Sequence, residues 1–265
     1  MKIAIIGAGN MGGALARGLA RGSRVATSEI YVSNPSSAKL EALKNEFPAI
    51  NVTVDNCEAV CAADLVVLAV KPWKVEQVLE EIKPCLDYKR HSVASMVGGL
   101  GLSQLSEWLD NGSGLLPATY LVIPNTAIAT MSSMTFIASA RSTDAQEAEL
   151  LDIFNELGTA MIVEEGLIAA GTSLASCGIA YALRYIRAAM EGGVELGFRP
   201  DDAKRIVMQT MRGAVDVLSV GGAHPEAEID RVTTPGGLTI KGLNAMEAAG
   251  FTNSVIEGLR ASTKR

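Results

Sequence analysis

The chain has 265 residues, of which 48% are hydrophobic, and its formal net charge at pH 7 is −6. This length and apolar content suffice for two hydrophobic cores, which argues against a disordered protein, and the acidic balance argues against nonspecific nucleic-acid binding. The four cysteines, Cys57, Cys61, Cys85 and Cys177, include no CxxC pair, and the chain has only two histidines. We therefore predict free thiols and no metal site.

The N-terminus starts directly with an apolar strand pattern, without the basic region and long apolar stretch of a targeting signal. No segment contains the roughly 18 to 20 uninterrupted apolar residues that cross a bilayer. The sequence therefore predicts a cytoplasmic protein with a small-molecule substrate and with neither a membrane nor a nucleic acid as partner.

Predicted strands alternate with predicted helices over the first part of the chain. The strands cover residues 2–6, 30–34, 51–54, 64–70, 92–97, 120–123, 134–139 and 160–163. The helices between them cover residues 13–17, 37–47, 57–62, 75–86, 103–109 and 144–157. This alternation predicts an α/β fold with a doubly wound, mostly parallel (Rossmann) sheet, which binds ligands at the C-terminal ends of its strands.

Strand patterns stop beyond residue 163. Helical patterns follow at residues 167–196, 201–219, 239–249 and 253–262, with a short helix starting at Pro225. We predict an NAD(P)-binding Rossmann domain over residues 1–163 and a smaller all-helical domain over residues 164–265. The helix at 167–196 is apolar on several faces, which favours a homodimer in which a second subunit covers it; the alternative places this helix at the centre of its own domain.

A glycine-rich turn joins the first strand to the first helix, where dinucleotide-binding folds carry their fingerprint. Its residues are Gly7, Ala8, Gly9, Asn10, Met11 and Gly12. Gly7 permits the tight turn, Gly9 lets backbone amides approach a pyrophosphate, and Gly12 lets the helix pack on the strand. Such turns also serve as plain connections, but the strand and helix on either side favour a nucleotide site.

The second strand ends at Ser33 and Asn34, where NAD-selective folds carry an Asp or Glu that binds the ribose hydroxyls. Neutral donors at this position favour NADPH, with NADH as a possible second cofactor, although an ordinary polar turn has the same composition. Asn56 follows the third strand and either contacts the same ribose or serves as a helix N-cap.

Two more segments follow strands at the same predicted edge. Ala69, Val70, Lys71 and Pro72 end the fourth strand, and the extended backbone that Pro72 imposes suits main-chain contact with a cofactor, the alternative being a solvated lysine. Asn125 follows a later strand and offers a donor and an acceptor either to a nicotinamide or to its own loop.

Residues 232–239, with the sequence VTTPGGLT, join two predicted helices. Their glycine amides lead into a helix N-terminus, which is the outline of a carboxylate site. On local composition alone, a plain helix connection is the alternative.

Taken together, the glycine turn, residues 69–72, 124–126, 224–225 and 232–239 resemble the pyrroline-5-carboxylate reductases, in order over essentially the whole chain. The resemblance implies reduction of L-1-pyrroline-5-carboxylate to L-proline by hydride transfer from NAD(P)H, the last step of proline biosynthesis. It also implies a helical dimerisation domain, and homodimers that often assemble into a ring.

At the positions that match the family motif, the resemblance implies that the backbone of Gly236, Gly237 and Leu238 binds the substrate carboxylate. The hydroxyl of Thr239, the catalytic candidate, would bind the ring nitrogen, and Glu165 would lie near the substrate. Because a threonine hydroxyl is a poor acid near neutral pH, we assign Thr239 a positioning role and leave the proton source open.

Three positions depart from the pattern common in this family: Cys177 stands in place of a serine, and Ile179 and Ala127 stand in place of prolines. These changes bear on substrate preference and on the geometry of the long helix. They leave two alternatives: a related imine or keto-acid reductase with a different substrate, and a noncatalytic NADP-binding sensor, which the retained residues 236–239 disfavour.

Overall fold

The computed structural model describes residues 1–263 and forms two compact units, the first over residues 1–176 and the second from residue 177 onward. The last two residues of the predicted helical domain therefore lie outside the described part. The segment just before residue 177 belongs to the first unit, where Ile168 is part of the same buried cluster as Phe136 and the Ser176 hydroxyl donates to the Pro124 carbonyl oxygen. The domain boundary predicted after residue 163 follows the end of the last strand and stays a prediction.

The first unit contains one eight-stranded sheet, as the strand patterns indicated. Its strands are β1 Ile3–Ile6, β2 Ile30–Ser33, β3 Asn51–Thr53, β4 Leu65–Leu68, β5 Ser92–Ser95, β6 Ala118–Ile123, β7 Ser133–Ala140 and β8 Gly158–Ile162. Their order in the sheet is β3-β2-β1-β4-β5-β6-β7-β8, and β6 and β7 pair antiparallel while the other neighbours are parallel. The predicted doubly wound, mostly parallel sheet is confirmed.

Helices cover both faces of this sheet. They are α1 Asn10–Arg21, α2 Ser37–Glu46, α3 Asn56–Cys61, α4 Val75–Ile82, α5 Leu102–Leu109 and α6 Asp144–Glu156. Successive side chains of β1 point to opposite faces: Ile3 and Ile5 join one buried cluster, while Ala4 and Ile6 join another. Burial on both faces explains why these strands are continuously apolar.

The described residues of the second unit form helices joined by loops, without a strand. In the first unit, α7 Ile168–Gly171 and a π-helical segment at residues 172–177 lead up to the boundary. The helices of the second unit are α8 Gly178–Glu195, α9 Pro200–Gly221, α10 Pro225–Arg231, α11 Leu238–Ala248 and α12 Phe251–Ala261. No residue of α8 is buried, and in α9 only Ala203 is. The alternative that places the long helix at the centre of its own domain is therefore wrong for its α8 part, because the described residues bury none of α8.

The helical run at residues 165–195 is long and apolar enough to cross a membrane, by length and composition only. The expectation that no segment has this property was too strict, because it counted uninterrupted apolar residues and ignored helices with a few polar interruptions. A helix at a subunit interface has the same length and composition, and that is the role the homodimer prediction assigns to this run.

Two of the four cysteines, Cys57 and Cys85, form a disulfide across 28 residues of sequence, with Cα atoms 5.7 Å apart. The prediction of free thiols is wrong for this pair and holds for Cys61 and Cys177. The first turn of α3 packs beside the end of α4, a proximity that sequence spacing does not encode. In the oxidised protein, a cross-link that closes a loop of this size stabilises the fold by about 3.6 kcal/mol in the chain-entropy model.

His91 is a buried titratable residue just before β5, and it is 2% exposed. Its Nδ1 accepts a hydrogen bond from the Asp87 amide at 2.8 Å, and the guanidinium of Arg90 lies beside Nε2. Burial and then the charge of Arg90 lower the pKa of His91 from its ordinary value. The imidazole is therefore neutral in the folded protein near neutral pH.

We expect His91 to make folding stability fall as the pH drops below about 6.5, the ordinary histidine pKa. Below that pH the unfolded chain protonates His91 while the folded chain does not, which costs at most about 1.4 kcal/mol per pH unit. Urea unfolding at pH 7.5 and at pH 5.5 measures this loss. His91→Gln should reduce the difference between the two pH values, and an unchanged difference would contradict the assignment.

Candidate functional site

The C-terminal ends of the parallel strands β1 to β6 lie along one edge of the sheet. In the sheet, β2 and β3 lie on one side of β1, and β4 and the later strands lie on the other side. The strand order therefore reverses at the β1–β4 boundary, which is the topological switch point at which such folds bind ligands. Residues that lie within three positions of these strand ends are Gly7, Asn34, Asn56, Ala69, Gly98 and Asn125. The predicted cofactor residues are thus gathered at one edge of the first unit.

The glycine loop has the backbone geometry that its sequence predicts. Gly7 has φ +108°, and a Cβ at Gly12 would lie 1.9 Å from the Gly7 carbonyl oxygen, so neither position accepts a side chain. A Cβ at Gly9 would meet no atom within 4 Å. Beside Gly9, α1 begins without a side-chain cap and without an acidic residue in its first turn. This open, uncapped helix N-terminus fits the pyrophosphate of a dinucleotide.

Asn34 is built into this loop. Its Oδ1 accepts from the Ala8 amide at 3.0 Å, its Nδ2 donates to the Ser36 carbonyl oxygen, and it is 7% exposed. The Gly7 amide in turn donates to the Ser33 carbonyl oxygen at 2.8 Å. Asn34 therefore connects the end of β2 to the glycine loop, and its contact with a cofactor stays a prediction.

Asn56 is not the N-cap of α3. Asp55 holds that position, and its carboxylate accepts from the amides of Cys57 and Glu58. Asn56 instead accepts from the Ser33 hydroxyl at 2.7 Å and donates to Glu81 at 3.1 Å. The N-cap interpretation of Asn56 is wrong, and sequence reasoning missed Glu81, which reaches this edge only because α4 packs on α3.

Residues 69–71 follow β4, Pro72 begins a short 3-10 helix at Pro72–Lys74, and the residue before it has the extended backbone that Pro72 implied. The Ala69 amide donates to the Ile6 carbonyl oxygen, and Lys71 has φ −71° and ψ 147° with an exposed side chain. The contact of residues Ala69, Val70, Lys71 and Pro72 with a cofactor stays a prediction. Sequence reasoning also missed Gly98, which has open space at its Cβ position after β5. A glycine pair directly after a predicted strand was the available signal.

The side chain of Asn125 serves its own loop. Its Oδ1 accepts from the Ala127 amide at 3.0 Å, and its backbone amide donates to the Ser133 hydroxyl. Of the two roles predicted for Asn125, the structure contains the loop contact, and the nicotinamide contact stays a prediction.

Glu165 lies in the first unit, at the N-terminus of α5. Its Oε1 accepts from the Leu102 amide at 2.7 Å, so the carboxylate serves a helix end that has no cap of its own. The side chain is exposed, and its place near a substrate stays a prediction.

Residues 236–239 lie in the second unit and form a turn that leads into α11. Gly236 has φ +71°, which favours glycine, and the Gly237 amide donates to the Thr234 carbonyl oxygen at 2.9 Å. No side chain caps α11, Leu238 is 86% exposed, and Thr239 is exposed as well. The first amides of α11 therefore have no side-chain acceptor, which is an arrangement that can bind a carboxylate.

Comparison with known proteins identifies the family. Residues 165–265 match the model described as pyrroline-5-carboxylate reductase dimerisation, and residues 2–98 match the model described as NADP oxidoreductase coenzyme F420-dependent. Pyrroline-5-carboxylate reductase 2 of Dictyostelium discoideum is 37% identical over 281 residues, which cover 100% of this chain and 91% of that protein. The chain belongs to the pyrroline-5-carboxylate reductase family.

Two further comparisons agree. Pyrroline-5-carboxylate reductase 1 of Dictyostelium discoideum is 36% identical over 99% of this chain, but the chain spans about half, 49%, of that longer protein. The solved structure of Plasmodium falciparum pyrroline carboxylate reductase with NADP bound has a TM-score of 0.88 at 26% identity, and the match covers 99% of this chain and 95% of that chain. The predicted family and fold class are confirmed, and the dimerisation region coincides with the uncovered helices.

We expect alanine at Gly9 and at Gly12 to have different effects. In Gly9→Ala the methyl group enters open space, so the melting temperature should stay within about 2 °C of wild type, while the Kd for NADPH rises about tenfold because the methyl group blocks approach of the phosphates. In Gly12→Ala the methyl group meets the Gly7 carbonyl oxygen, so the folded protein itself should be lost or strongly destabilised.

Thermal melts and NADPH fluorescence titrations measure both effects. Gly9→Ala with the wild-type Kd would show that the pyrophosphate does not lie at this loop. Gly12→Ala with the wild-type melting temperature would contradict the packing described for α1.

Proposed function

We propose that this chain reduces L-1-pyrroline-5-carboxylate to L-proline with NADPH, the last step of proline biosynthesis. The observation that carries the proposal is the full-length family match of a chain that retains both the open glycine loop and the uncapped N-terminus of α11. The NADP bound in the Plasmodium falciparum relative supports NADPH as the cofactor, with NADH as a second one.

In this proposal NADPH supplies the hydride, and the chain positions the two reactants. The N-terminus of α1 and the loop before it bind the pyrophosphate through Gly7, Ala8, Gly9, Asn10, Met11 and Gly12. Ser33, Asn34 and Asn56 surround the adenosine ribose. Residues 69–72 and Asn125 flank the nicotinamide from the strand ends.

The substrate is a cyclic imine with a carboxylate, and each part has a proposed partner. The amides of Gly237, Leu238 and Thr239 bind the carboxylate, because they lead into a helix N-terminus that lacks a side-chain cap. The Thr239 hydroxyl orients the ring nitrogen, and Glu165 is the acid nearest the substrate. Holding the imine carbon in line for hydride attack is the main catalytic contribution of the chain, and we leave the proton source open.

We expect purified protein to oxidise NADPH only when pyrroline-5-carboxylate is present, with proline as product. Thr239→Ala should lower kcat/KM about 10- to 100-fold, the loss that follows from removing one hydrogen bond to a polar or charged group. Thr239→Ser keeps the hydroxyl and should stay within about threefold of wild type. Wild-type activity in Thr239→Ala, with NADPH binding intact, would overturn the assignment of Thr239.

A related imine or keto-acid reductase is the second candidate, and the long helix favours it. The π-helical segment at residues 172–177 ends at Cys177, two residues before Ile179, so the backbone departs from regular α-helix where the sequence departs from the family pattern. A panel of cyclic imines of different ring size separates the two candidates. A protein that binds NADPH and reduces no imine or keto acid would be the noncatalytic sensor.

We also propose that the chain is a cytoplasmic homodimer and that dimers assemble further into a ring. The dimer rests on two observations: α8 buries no residue within one chain, and residues 165–265 match a dimerisation model. The ring rests on the family resemblance.

We expect light scattering to give a mass of at least twice that of one chain, and a ring to give a higher multiple of the dimer mass. Leu183→Asp places a charge on the exposed apolar surface of α8 and should abolish the dimer, whereas Leu115→Asp, on an exposed leucine of the first unit, should leave the mass unchanged. A monomeric wild-type protein would contradict the proposal.

A further inference from the structure

The carboxylate of Glu81 is connected to Ser33, the last residue of β2, through the side chain of Asn56. The Ser33 hydroxyl donates to Asn56 Oδ1 at 2.7 Å, and Asn56 Nδ2 donates to Glu81 Oε2 at 3.1 Å. We propose that Glu81 is a positioning residue that weakens binding of NADPH relative to NADH. The inference rests on the proposed function only in that the adenosine ribose lies at the end of β2.

The hydrogen bonds between these three residues have a fixed direction. A carboxylate only accepts hydrogen bonds, so Asn56 presents its amino group to Glu81 and its carbonyl oxygen to Ser33. Ser33 then uses its one hydroxyl proton on Asn56 and is fully buried, so Asn56 is the partly exposed group of the pair that a ligand meets. A ribose 2′-hydroxyl can donate to the Asn56 carbonyl oxygen, whereas a 2′-phosphate meets an Asn56 amino group that already donates to Glu81 and no donor from Ser33.

Charge acts in the same direction as hydrogen bonding. Within the described residues, no lysine or arginine lies within ion-pair distance of Glu81, whereas its neighbour Glu80 pairs with Lys83. Glu81 therefore holds an uncompensated negative charge next to the ribose position. This charge repels a 2′-phosphate and has little effect on a 2′-hydroxyl.

The two helices that carry Asn56 and Glu81 are covalently joined. Cys57 directly follows Asn56 at the start of α3, and its disulfide partner Cys85 lies just after α4, four positions beyond Glu81. The disulfide therefore keeps the start of α3 next to the end of α4. In the oxidised protein, this restraint keeps Glu81 within reach of Asn56, although the carboxylate is exposed.

Glu81→Gln tests the proposal because glutamine keeps the size of the side chain, removes the charge and supplies a donor. The glutamine amide can donate to Asn56 Oδ1, so the Asn56 amino group is no longer held by a carboxylate and can donate to another partner. We expect the Kd for NADPH to fall about three- to tenfold and the Kd for NADH to stay within about twofold. Glu80→Gln is the matched control, with the same charge removed from the same helix, and both Kd values should stay within about twofold.

The measurement is a direct titration of the full-length protein with each nucleotide, followed by fluorescence, in the absence of any imine and of reducing agent. An equal shift for both nucleotides, no shift for either, or the same shift in Glu80→Gln would overturn the role of Glu81. An altered NADPH to NADH ratio in a protein that reduces no pyrroline-5-carboxylate would instead overturn the proposed function and support this inference. A wild-type protein that binds neither nucleotide would overturn both.

Discussion

The C-terminal ends of the parallel strands form the edge of the sheet at which we propose that the nucleotide binds, called the nucleotide edge below. The contact between the start of α1 and the end of β1 is the constraint on which this edge depends. A side chain at Gly12 would lie within 2 Å of the Gly7 carbonyl oxygen, so the helix begins where only glycine fits. Ala69 adds to this contact, since its Cβ would lie 2.9 Å from a Cβ at Gly12. This close approach directs the first amides of α1 past the strand ends, and Asn34 then holds the loop through the Ala8 amide. The anion site is thus a consequence of backbone packing rather than of charged side chains.

The two units differ in what stabilises them. The sheet of the first unit is packed on both faces by helices and has large buried clusters. The described helices of the second unit leave most of their apolar side chains in contact with solvent, including Leu183, Ile206 and Val220. A surface of this kind is stable in water only when another surface covers it. The free energy of folding of this unit is therefore coupled to the free energy of its assembly.

Side-chain roles at the nucleotide edge were harder to predict than the edge itself. Asn56 and Asp55 are adjacent, and both are good N-cap residues, so composition does not decide which of them caps α3. The structure assigns the cap to Asp55 and leaves Asn56 to connect Ser33 with Glu81. Glu81 carries no local signal, because its significance arises from a partner 25 positions away in the sequence.

The sequence by itself determined the alternation of strands and helices, the glycine loop and the family, because these depend on local periodicity, on backbone conformations open only to glycine, and on motifs read in order. Only the tertiary structure decided that Cys57 pairs with Cys85, that Glu165 binds the N-terminus of α5, and that α8 lacks cover within one chain. The physical reason is that these features depend on distances between segments remote in sequence, which are set by how the helices pack on the sheet and against one another.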